Sequence, residues 1–327
     1  MSSPVTNASA VPIATSTAVP SQGKAPAQAA WIRTTLRWAM ILTCLLVIGP
    51  LASMPLAQLR DTDGGHAVTM FLSGSMGASV VATGLVLVAA TVAAAVSAWF
   101  FSAGNAFACS GLIVGWGAWR MGTIDEIVRR TRSGSDLSLL ALENGLIVLC
   151  AAGIAWLISA IAERRQTQAH RHATGSAIGL LATDGNGQGS FRIAGMCLGA
   201  ATLAAGLASV LVAATMSKGQ TVFASFVGGL AAGVVAHLVS RGQNGNVSPA
   251  LVALSALLPA ALGPVIAQAM HGTKLVDATF AGSLMPLARI VSLEWACGLL
   301  LGIPVGLGWA GAMLDERSIE SIPPPLS

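Results

Sequence analysis

The chain has 327 residues, of which 54% are hydrophobic and 9% are charged. Because a soluble domain carries about 25% charged residues, this composition excludes an ordinary water-soluble protein. With its long apolar blocks, it predicts an all-α, polytopic membrane helical bundle. The net charge of +4 comes from basic residues scattered between those blocks. This pattern lacks the dense basic run of a nucleic-acid-binding protein, and it fits a lipid bilayer with anionic headgroups as the partner.

The amino-terminal residues 1–36 are rich in Ala, Ser, Thr and Pro and predict a disordered tail, because nothing in them could build a core. About 36 residues precede the first apolar run, so a cleaved secretory signal is not expected. The tryptophans and arginines of residues 31–38 predict an interfacial anchor. The first span covers residues 38–57, because twenty uncharged residues are enough to cross about 30 Å of hydrocarbon.

Residues 67–119 form a block of 53 residues without a charge. As one helix this block would be about 80 Å long, far more than a bilayer is thick. The chain must therefore turn back, and residues 102–105 (Ser-Ala-Gly-Asn) provide the best turn signal. The sequence predicts two spans, 79–101 and 104–120, packed as a tight hairpin.

The later apolar blocks lie on either side of a polar loop, residues 163–191, which is expected to be flexible and divides the membrane region into two halves, 37–162 and 192–314. Residues 315–327 are expected to form a short disordered tail. The predicted spans in this part of the chain are 140–162, 193–216, 221–240, 249–270 and 290–314. The total is eight, and the pattern is compatible with seven to nine.

Two local signals refine the seventh span. Ser248 is a suitable N-cap, and Pro249 suits the first helical position because its missing N–H has no intrahelical partner there. Residues 271–286 are only moderately apolar and contain Asp277, so they are expected to form a loop or an interfacial helix.

Arginine and lysine set the predicted orientation. Basic residues of the amino-terminal tail and the central loop place both termini in the cytoplasm. The loop 121–138 opposes this, because it holds Arg129, Arg130 and Arg132 and would lie outside. Three lysines against fourteen arginines, with abundant Ala, Gly and Val, indicate a high-GC genome and favour a bacterial inner membrane.

Two glutamates stand where predicted spans begin. A carboxylate inside a membrane is costly and usually marks an ion path or proton relay. However, residues 295–314 can cross the bilayer without Glu294, and residues 144–162 nearly so without Glu143. The interfacial interpretation, with both carboxylates at headgroup level, is therefore the simpler alternative.

The eight-span arrangement puts two arginines at the same membrane level as these acids. Arg120 closes the third span and Arg289 precedes the eighth, so the four charges could pair as clamps between helix ends. The alternative is a vestibule for a cation or proton lined by Glu143 and Glu294. Exchanging Arg120 and Glu143 would preserve a clamp and abolish a vestibule.

His237 lies about one turn from Arg241, so it is either an interfacial histidine or a pH-sensing or catalytic one. No nucleophile motif accompanies it, and no enzyme activity is expected. His170-Arg171-His172 and the fragment 184–189 fall short of metal motifs, and the five cysteines lie in apolar blocks without CxxC spacing. No metal or other cofactor is expected.

Glycine pairs four residues apart recur in four spans, and such pairs let helix backbones approach closely in lipid. They are Gly111 and Gly115, Gly195 and Gly199, Gly229 and Gly233, and Gly302 and Gly306. Packing within the bundle is the default use of these strips, while a homo-oligomer or another membrane protein is the alternative. Prolines at positions 50, 55, 259, 264 and 304 interrupt spans one, seven and eight, and each frees a backbone carbonyl.

Two function classes follow. The first is transport or conduction of a small solute or ion, using the proline-broken spans, with Glu143 and Glu294 as candidate groups. The second is a non-catalytic membrane scaffold or assembly subunit that works through helix packing. Transport predicts solute-dependent stabilisation that depends on Glu143 or Glu294, whereas a scaffold predicts a co-purifying partner.

Overall fold

The computed structural model describes residues 27–59, 69–131, 135–174, 187–242 and 247–320. These residues form helices and short turns, with no strand among them. The helices are α1 (Ala27–Thr43), α2 (Gly49–Gln58), α3 (Met76–Phe100), α4 (Ala103–Arg120), α5 (Ile124–Thr131), α6 (Ser135–Thr174), α7 (Gly187–Val212), α8 (Lys218–Arg241), α9 (Pro249–Leu254), α10 (Leu257–His271), α11 (Leu275–Phe280) and α12 (Ser292–Glu320). The predictions for residues 1–26, 175–186 and 321–327 lie outside the described residues.

Seven described segments are long and apolar enough to cross a membrane, which confirms the all-α, polytopic membrane class. They are Trp31–Gln58, Met76–Phe100, Leu137–Gln168, Arg192–Val212, Lys218–Arg241, Pro249–Phe280 and Ser292–Met313. The predicted span 104–120, the third in chain order, is α4, whose 18 residues include Asn105 and Arg120 and which is not among the seven. It still packs inside the bundle, because Gly117 lies against Val86 of α3 and Leu293 of α12.

The predicted hairpin between α3 and α4 is confirmed, with its turn at Phe101 and Ser102. The Ser102 hydroxyl accepts a hydrogen bond from the backbone N–H of Asn105 at 3.3 Å and so caps α4. The final carbonyls of α3 have no intrahelical donors. Arg165 of α6 supplies them, donating from Nη1 to the carbonyl oxygens of Ala98 at 2.9 Å and Phe101 at 3.0 Å.

The helix ends gather at two ends of the bundle. Arg165 of α6 marks the end of the bundle where α3 finishes, and we call it the Arg165 end. At the other end, the Glu143 end, α4 finishes next to the start of α8, because Lys218 Nζ donates to the carbonyl oxygen of Trp119 at 2.8 Å. The beginnings of α6, α8 and α12 lie together there, because Glu143 of α6 contacts Ser292 of α12 and Ser225 of α8 contacts Glu294 of α12.

Helices α8 and α12 run parallel and touch backbone to backbone. A Cβ atom at Gly302 would overlap the carbonyl oxygen of Phe226, and one at Gly306 would overlap that of Leu230. From the α8 side, a Cβ at Gly233 would lie 2.7 Å from the carbonyl oxygen of Ile303. Only glycine permits this separation, so the strips form the tightest described helix contact.

The predicted glycine pairs differ in what they face. Gly229, like Gly233, faces α12, while Gly111 and Gly115 face Leu301 and Cys297 and so pack α4 antiparallel to α12. A Cβ at Gly195 or Gly199 would meet no described atom within 4 Å. Three of the four strips thus serve contacts within the chain.

Pro50, the first of the two prolines in the first span, is accommodated by a widened helical turn. Cys44–Ile48 form a π-helical turn, in which the N–H of Gly49 donates to the carbonyl of Cys44 five residues back. The next donor in this pattern would be the nitrogen of Pro50, which has no hydrogen. The indole Nε1 of Trp116 donates instead to the orphaned carbonyl oxygen of Leu45 at 2.7 Å.

Short amphipathic helices cover the Glu143 end. In the predicted loop 121–138, α5 buries Ile124, Ile127 and Val128 in a separate apolar cluster that includes Leu275 of α11. Residues 271–286 contain α11, which agrees with the interfacial-helix alternative. Leu284, Ala288 and Val291 belong to the same cluster, so these short helices pack against the segment that leads into α12.

Candidate functional site at the start of helix α12

The first turn of α12 carries the polar groups of interest. The N–H groups that begin a helix lack intrahelical acceptors, and the helix dipole favours negative charge beside them. Glu294 meets this need in part, because its Oε2 accepts from the backbone N–H of Val291 at 2.9 Å, as the acidic residue of a capping box does. Unlike an ordinary capping acid, Glu294 is only 1% exposed.

Glu143 of α6 reaches the same turn and is fully buried. Its Oε1 accepts from Ser292 Oγ at 2.6 Å and from the N–H of Met70 at 3.2 Å, and its Oε2 accepts from the N–H of Phe71 at 2.9 Å. Residues 69–75 are not helical, so these N–H groups have no helical acceptors. Glu143 thus ties α6 to the stretch before α3 and to α12.

The two predicted acids therefore come together. Glu143 binds the hydroxyl of Ser292 and Glu294 binds the N–H of Val291, so both carboxylates converge on one helical turn. Both side chains lie inside the protein, away from the surface where headgroup contact was the simpler expectation.

Arg289 is 7% exposed and acts on backbone rather than on these acids. A guanidinium has five N–H donors, and here each has a carbonyl acceptor. Nε donates to Leu284 at 3.0 Å, Nη1 to Ala213 at 3.1 Å and to Ala214, and Nη2 to Gly282 at 2.8 Å and Leu284 at 2.6 Å. Burial lowers the pKa of Arg289, but an arginine stays charged at neutral pH. Arg289 therefore clamps the end of α7 to the segment before α12, and no carboxylate among the described residues is found paired with it, although the sequence suggested such a pair.

Arg120 is placed differently again. Its guanidinium carbon lies 5.9 Å from the centre of the Trp116 ring, a cation–π arrangement. Its Nε is buried and has no hydrogen-bond partner among the described residues. The sequence suggested Glu143 as its partner, but the hydrogen bonds found at Glu143 come from Met70, Phe71 and Ser292.

One face of α8 completes the site, and sequence reasoning missed it. Ser225 Oγ donates to the carbonyl oxygen of Glu294 at 2.7 Å. One turn earlier, the Thr221 hydroxyl lies beside the Glu294 carboxylate, and Lys218 lies within electrostatic range of that carboxylate. Residues 218, 221 and 225 share a helical face, and this spacing was the available signal.

Asn144 was missed as well. Its Nδ2 donates to the carbonyl oxygen of Ala260 at 2.9 Å. In an unbroken helix that carbonyl would accept from residue 264, but Pro264 has no N–H. Asn144 therefore satisfies a carbonyl freed by a proline, and adjacent Glu143 satisfies the freed N–H groups before α3.

His237 does not join the site. It lies sixteen residues after Thr221 in the same helix, which corresponds to about 24 Å along the axis. Its Nε2 is buried without a partner among the described residues. Ser240 Oγ donates to the backbone carbonyl of His237 at 2.9 Å, so this contact does not form a serine–histidine dyad.

Comparison of the chain with family models, with curated proteins and with solved structures finds no match. The chemistry of the site therefore has to carry its interpretation. That chemistry consists of two buried carboxylates, three hydroxyls and one nearby ammonium group on three helices, with irregular backbone beside them.

Proposed function

We propose that the protein transports a small cation or a proton across the membrane, and that the Glu294 carboxylate binds it. The supporting observation is that Glu294, in a membrane helix, is 1% exposed. Ionisable groups inside membrane bundles are costly and are usually found on ion pathways or proton relays. A carboxylate that only capped α12 could do so from the surface.

Glu294 suits the binding role better than Glu143. A carboxylate offers about four lone-pair sites, and Glu143 already uses three of them for Met70, Phe71 and Ser292. Glu294 accepts one backbone N–H and lies beside the Thr221 hydroxyl, so acceptor capacity is left. Carboxylate and hydroxyl oxygens also suit hard cations. Glu143 is then a positioning residue that holds the start of α12.

Interrupted backbone next to the site supports the same proposal. The sixth long apolar segment, Pro249–Phe280, breaks at Ser255 and Ala256, between α9 and α10. Asn144, next to Glu143, holds the broken segment through Ala260. Discontinuous helices at membrane depth occur where backbone lines a cavity or binding site.

The test is ion flux into proteoliposomes that contain the purified protein, with imposed H⁺, Na⁺ or K⁺ gradients. Wild-type protein is expected to carry at least one of these ions, and Glu294→Gln to reduce that flux to the level of empty liposomes. Glu163→Gln is the matched control, because Glu163 is exposed at the Arg165 end. Equal flux by wild type and Glu294→Gln, or none above empty liposomes for any of the three ions, would overturn the proposal.

The second candidate is a membrane scaffold or assembly subunit. The backbone contact between α8 and α12 favours it, since such a contact rigidifies a bundle without any transported solute. Under this candidate, Glu294→Gln leaves function unchanged, and a second membrane protein co-purifies with wild type and Glu294→Gln alike.

We further propose a bacterial inner membrane location with both termini, and hence the Arg165 end, on the cytoplasmic side. Arg33 and Arg37 in α1 and Arg164 beside Arg165 support this, because cytoplasmic loops are rich in Arg and Lys. A cysteine at exposed position Glu163 should then react with a membrane-impermeant maleimide only after cells are opened. A cysteine at exposed Thr273, near the end of α10, should react in intact spheroplasts.

A further inference from the structure

A cavity of about 250 Å³ lies between α4, the first span and α12. Apolar side chains and two glycines line it. The lining residues are Leu45, Gly111, Leu112, Gly115, Trp116, Trp119, Cys297 and Leu301. Trp119 is 59% exposed, so the cavity opens on the surface that faces lipid.

The shape of the cavity follows from features already described. The glycines Gly111 and Gly115 let Leu301 and Cys297 of α12 pack closely against α4, and the cavity runs as a trough along this contact. Residues 111 and 119 lie eight positions apart, which corresponds to about 12 Å along the helix axis. One leaflet of a bilayer contributes about 15 Å of hydrocarbon, so the trough matches the depth of a single leaflet.

A cation stands at the outer end of this trough. Arg120 follows Trp119 directly, and its guanidinium lies over Trp116, a wall of the cavity. The buried Nε of Arg120 has no partner among the described residues. Lys218, by contrast, donates to the carbonyl of Trp119 and has Glu126 and Glu294 within electrostatic range. Arg120 itself is partly exposed and forms no ion pair with the described residues, so its guanidinium is the cation beside the cavity that an external anion can reach.

We infer that this cavity is a binding site for an anionic phospholipid, with one acyl chain along Gly111 and Gly115 and the phosphate on Arg120. The apolar trough accepts hydrocarbon, and a guanidinium fork matches phosphate oxygens in geometry and charge. The two tryptophans beside Arg120 are of the residue type that gathers at membrane interfaces. Charge complementarity selects an anionic lipid over a zwitterionic one. The inference does not depend on the proposed transport of ions.

Native mass spectrometry of the detergent-purified protein tests this site. The probes are phosphatidylglycerol and phosphatidylcholine with identical acyl chains, each added at the same concentration. We expect wild type to retain phosphatidylglycerol about tenfold better, as one charge-assisted contact allows. Arg120→Gln should remove this preference. Arg129→Gln is the matched control, because Arg129 lies over Phe280 at 5.2 Å, on α5 and away from the lining residues.

A second pair of variants tests the trough itself. Leu112→Trp and, separately, Leu45→Phe should fill the cavity and reduce retention of both lipids at least several-fold. Circular dichroism and gel filtration show which of the two variants is folded. One folded variant is enough for the lipid measurement. The inference is overturned by equal retention of the two lipids by wild type, by identical behaviour of Arg120→Gln and Arg129→Gln, or by wild-type retention in a folded filled variant. It is also overturned if inorganic phosphate displaces the lipid at equal concentration, since the site would then bind a free anion.

Discussion

The hydroxyl of Ser292 lies 2.6 Å from Oε1 of Glu143 and donates a hydrogen bond to it inside the bundle. This contact joins the start of α12 to α6. The same carboxylate also accepts hydrogen bonds from the backbone N–H groups of Met70 and Phe71, which precede α3. The carboxylate therefore organises three segments at once, and its stability effects can be separated from those of Glu294.

We predict that Glu143→Gln destabilises the protein by about 1–3 kcal/mol, because the amide nitrogen would face an N–H donor and leave it unsatisfied. Ser292→Ala should cost less, about 1 kcal/mol, since it removes one hydrogen bond. Thermal unfolding in detergent measures both. An effect of Glu143→Gln no larger than that of exposed Glu163→Gln would contradict the organising role.

Asn144 and Pro264 form a pair that a double-mutant cycle can test. Asn144→Leu should cost about 1–3 kcal/mol, because it leaves the Ala260 carbonyl without a donor. In a Pro264→Ala background the new N–H can serve that carbonyl, so Asn144→Leu should cost much less there. Unfolding midpoints of the four proteins give the coupling. Equal costs in the two backgrounds would show that the amide does not replace the missing proline donor.

Arg289→Lys is expected to destabilise the protein by about 2 kcal/mol or more, although the charge is retained. An ammonium has three donors and no planar fork, so carbonyls at the end of α7 and before α12 lose partners. The control is Arg129→Lys, on the surface helix α5, which should shift the unfolding temperature little. A tolerated Arg289→Lys would mean that charge alone suffices at this position.

The contact between α8 and α12 predicts opposite outcomes for two glycines of the same helix. Gly302→Ala should destabilise strongly, because its Cβ would overlap the Phe226 carbonyl. Gly308→Ala should be neutral or stabilising by up to about 1 kcal/mol, because a Cβ there meets no described atom within 4 Å and alanine favours helix. Chemical unfolding of the two variants provides the comparison, and similar stabilities would refute the close packing.

Much of the helix layout was predictable from charge and length. A block of 53 uncharged residues cannot be one membrane helix, so the turn near Ser102 followed from the bilayer thickness. Ser248 and Pro249 also begin α9 as predicted, with the serine hydroxyl accepting from the N–H of Ala250. These features depend on neighbouring residues only, and local rules cover them.

The irregular backbone was not predictable in the same way. The π-helical turn Cys44–Ile48 depends on a tryptophan 71 residues away in the chain. Helix α6 runs from Ser135 to Thr174, well past the end of its apolar run at 162, which hydropathy alone does not show. Patterns of hydropathy mark where a helix can enter lipid, and they do not mark where it stops being helical.

The site was predictable in its acids and not in their partners. Glu143 and Glu294 stood out because charge is rare in these spans. Their contacts with Ser292, Thr221 and Lys218 depend on helix packing that one sequence does not encode locally. Arg289 lies just before α12, at the end of the bundle where the acids lie, but its five donors bind backbone carbonyls, which carry no sequence signal.

The contacts between glycines and main chain that join α8 to α12 have a mechanical consequence. Two helices in direct main-chain contact over several turns cannot slide along each other without breaking the packing at every glycine. They are therefore expected to move as one rigid body. A rearrangement that exposes the Glu294 side chain to one side of the membrane and then to the other would have to move α8 and α12 together. The hinge for this motion would then lie in a neighbouring segment, and the helix break at Ser255 and Ala256, between α9 and α10, is the candidate.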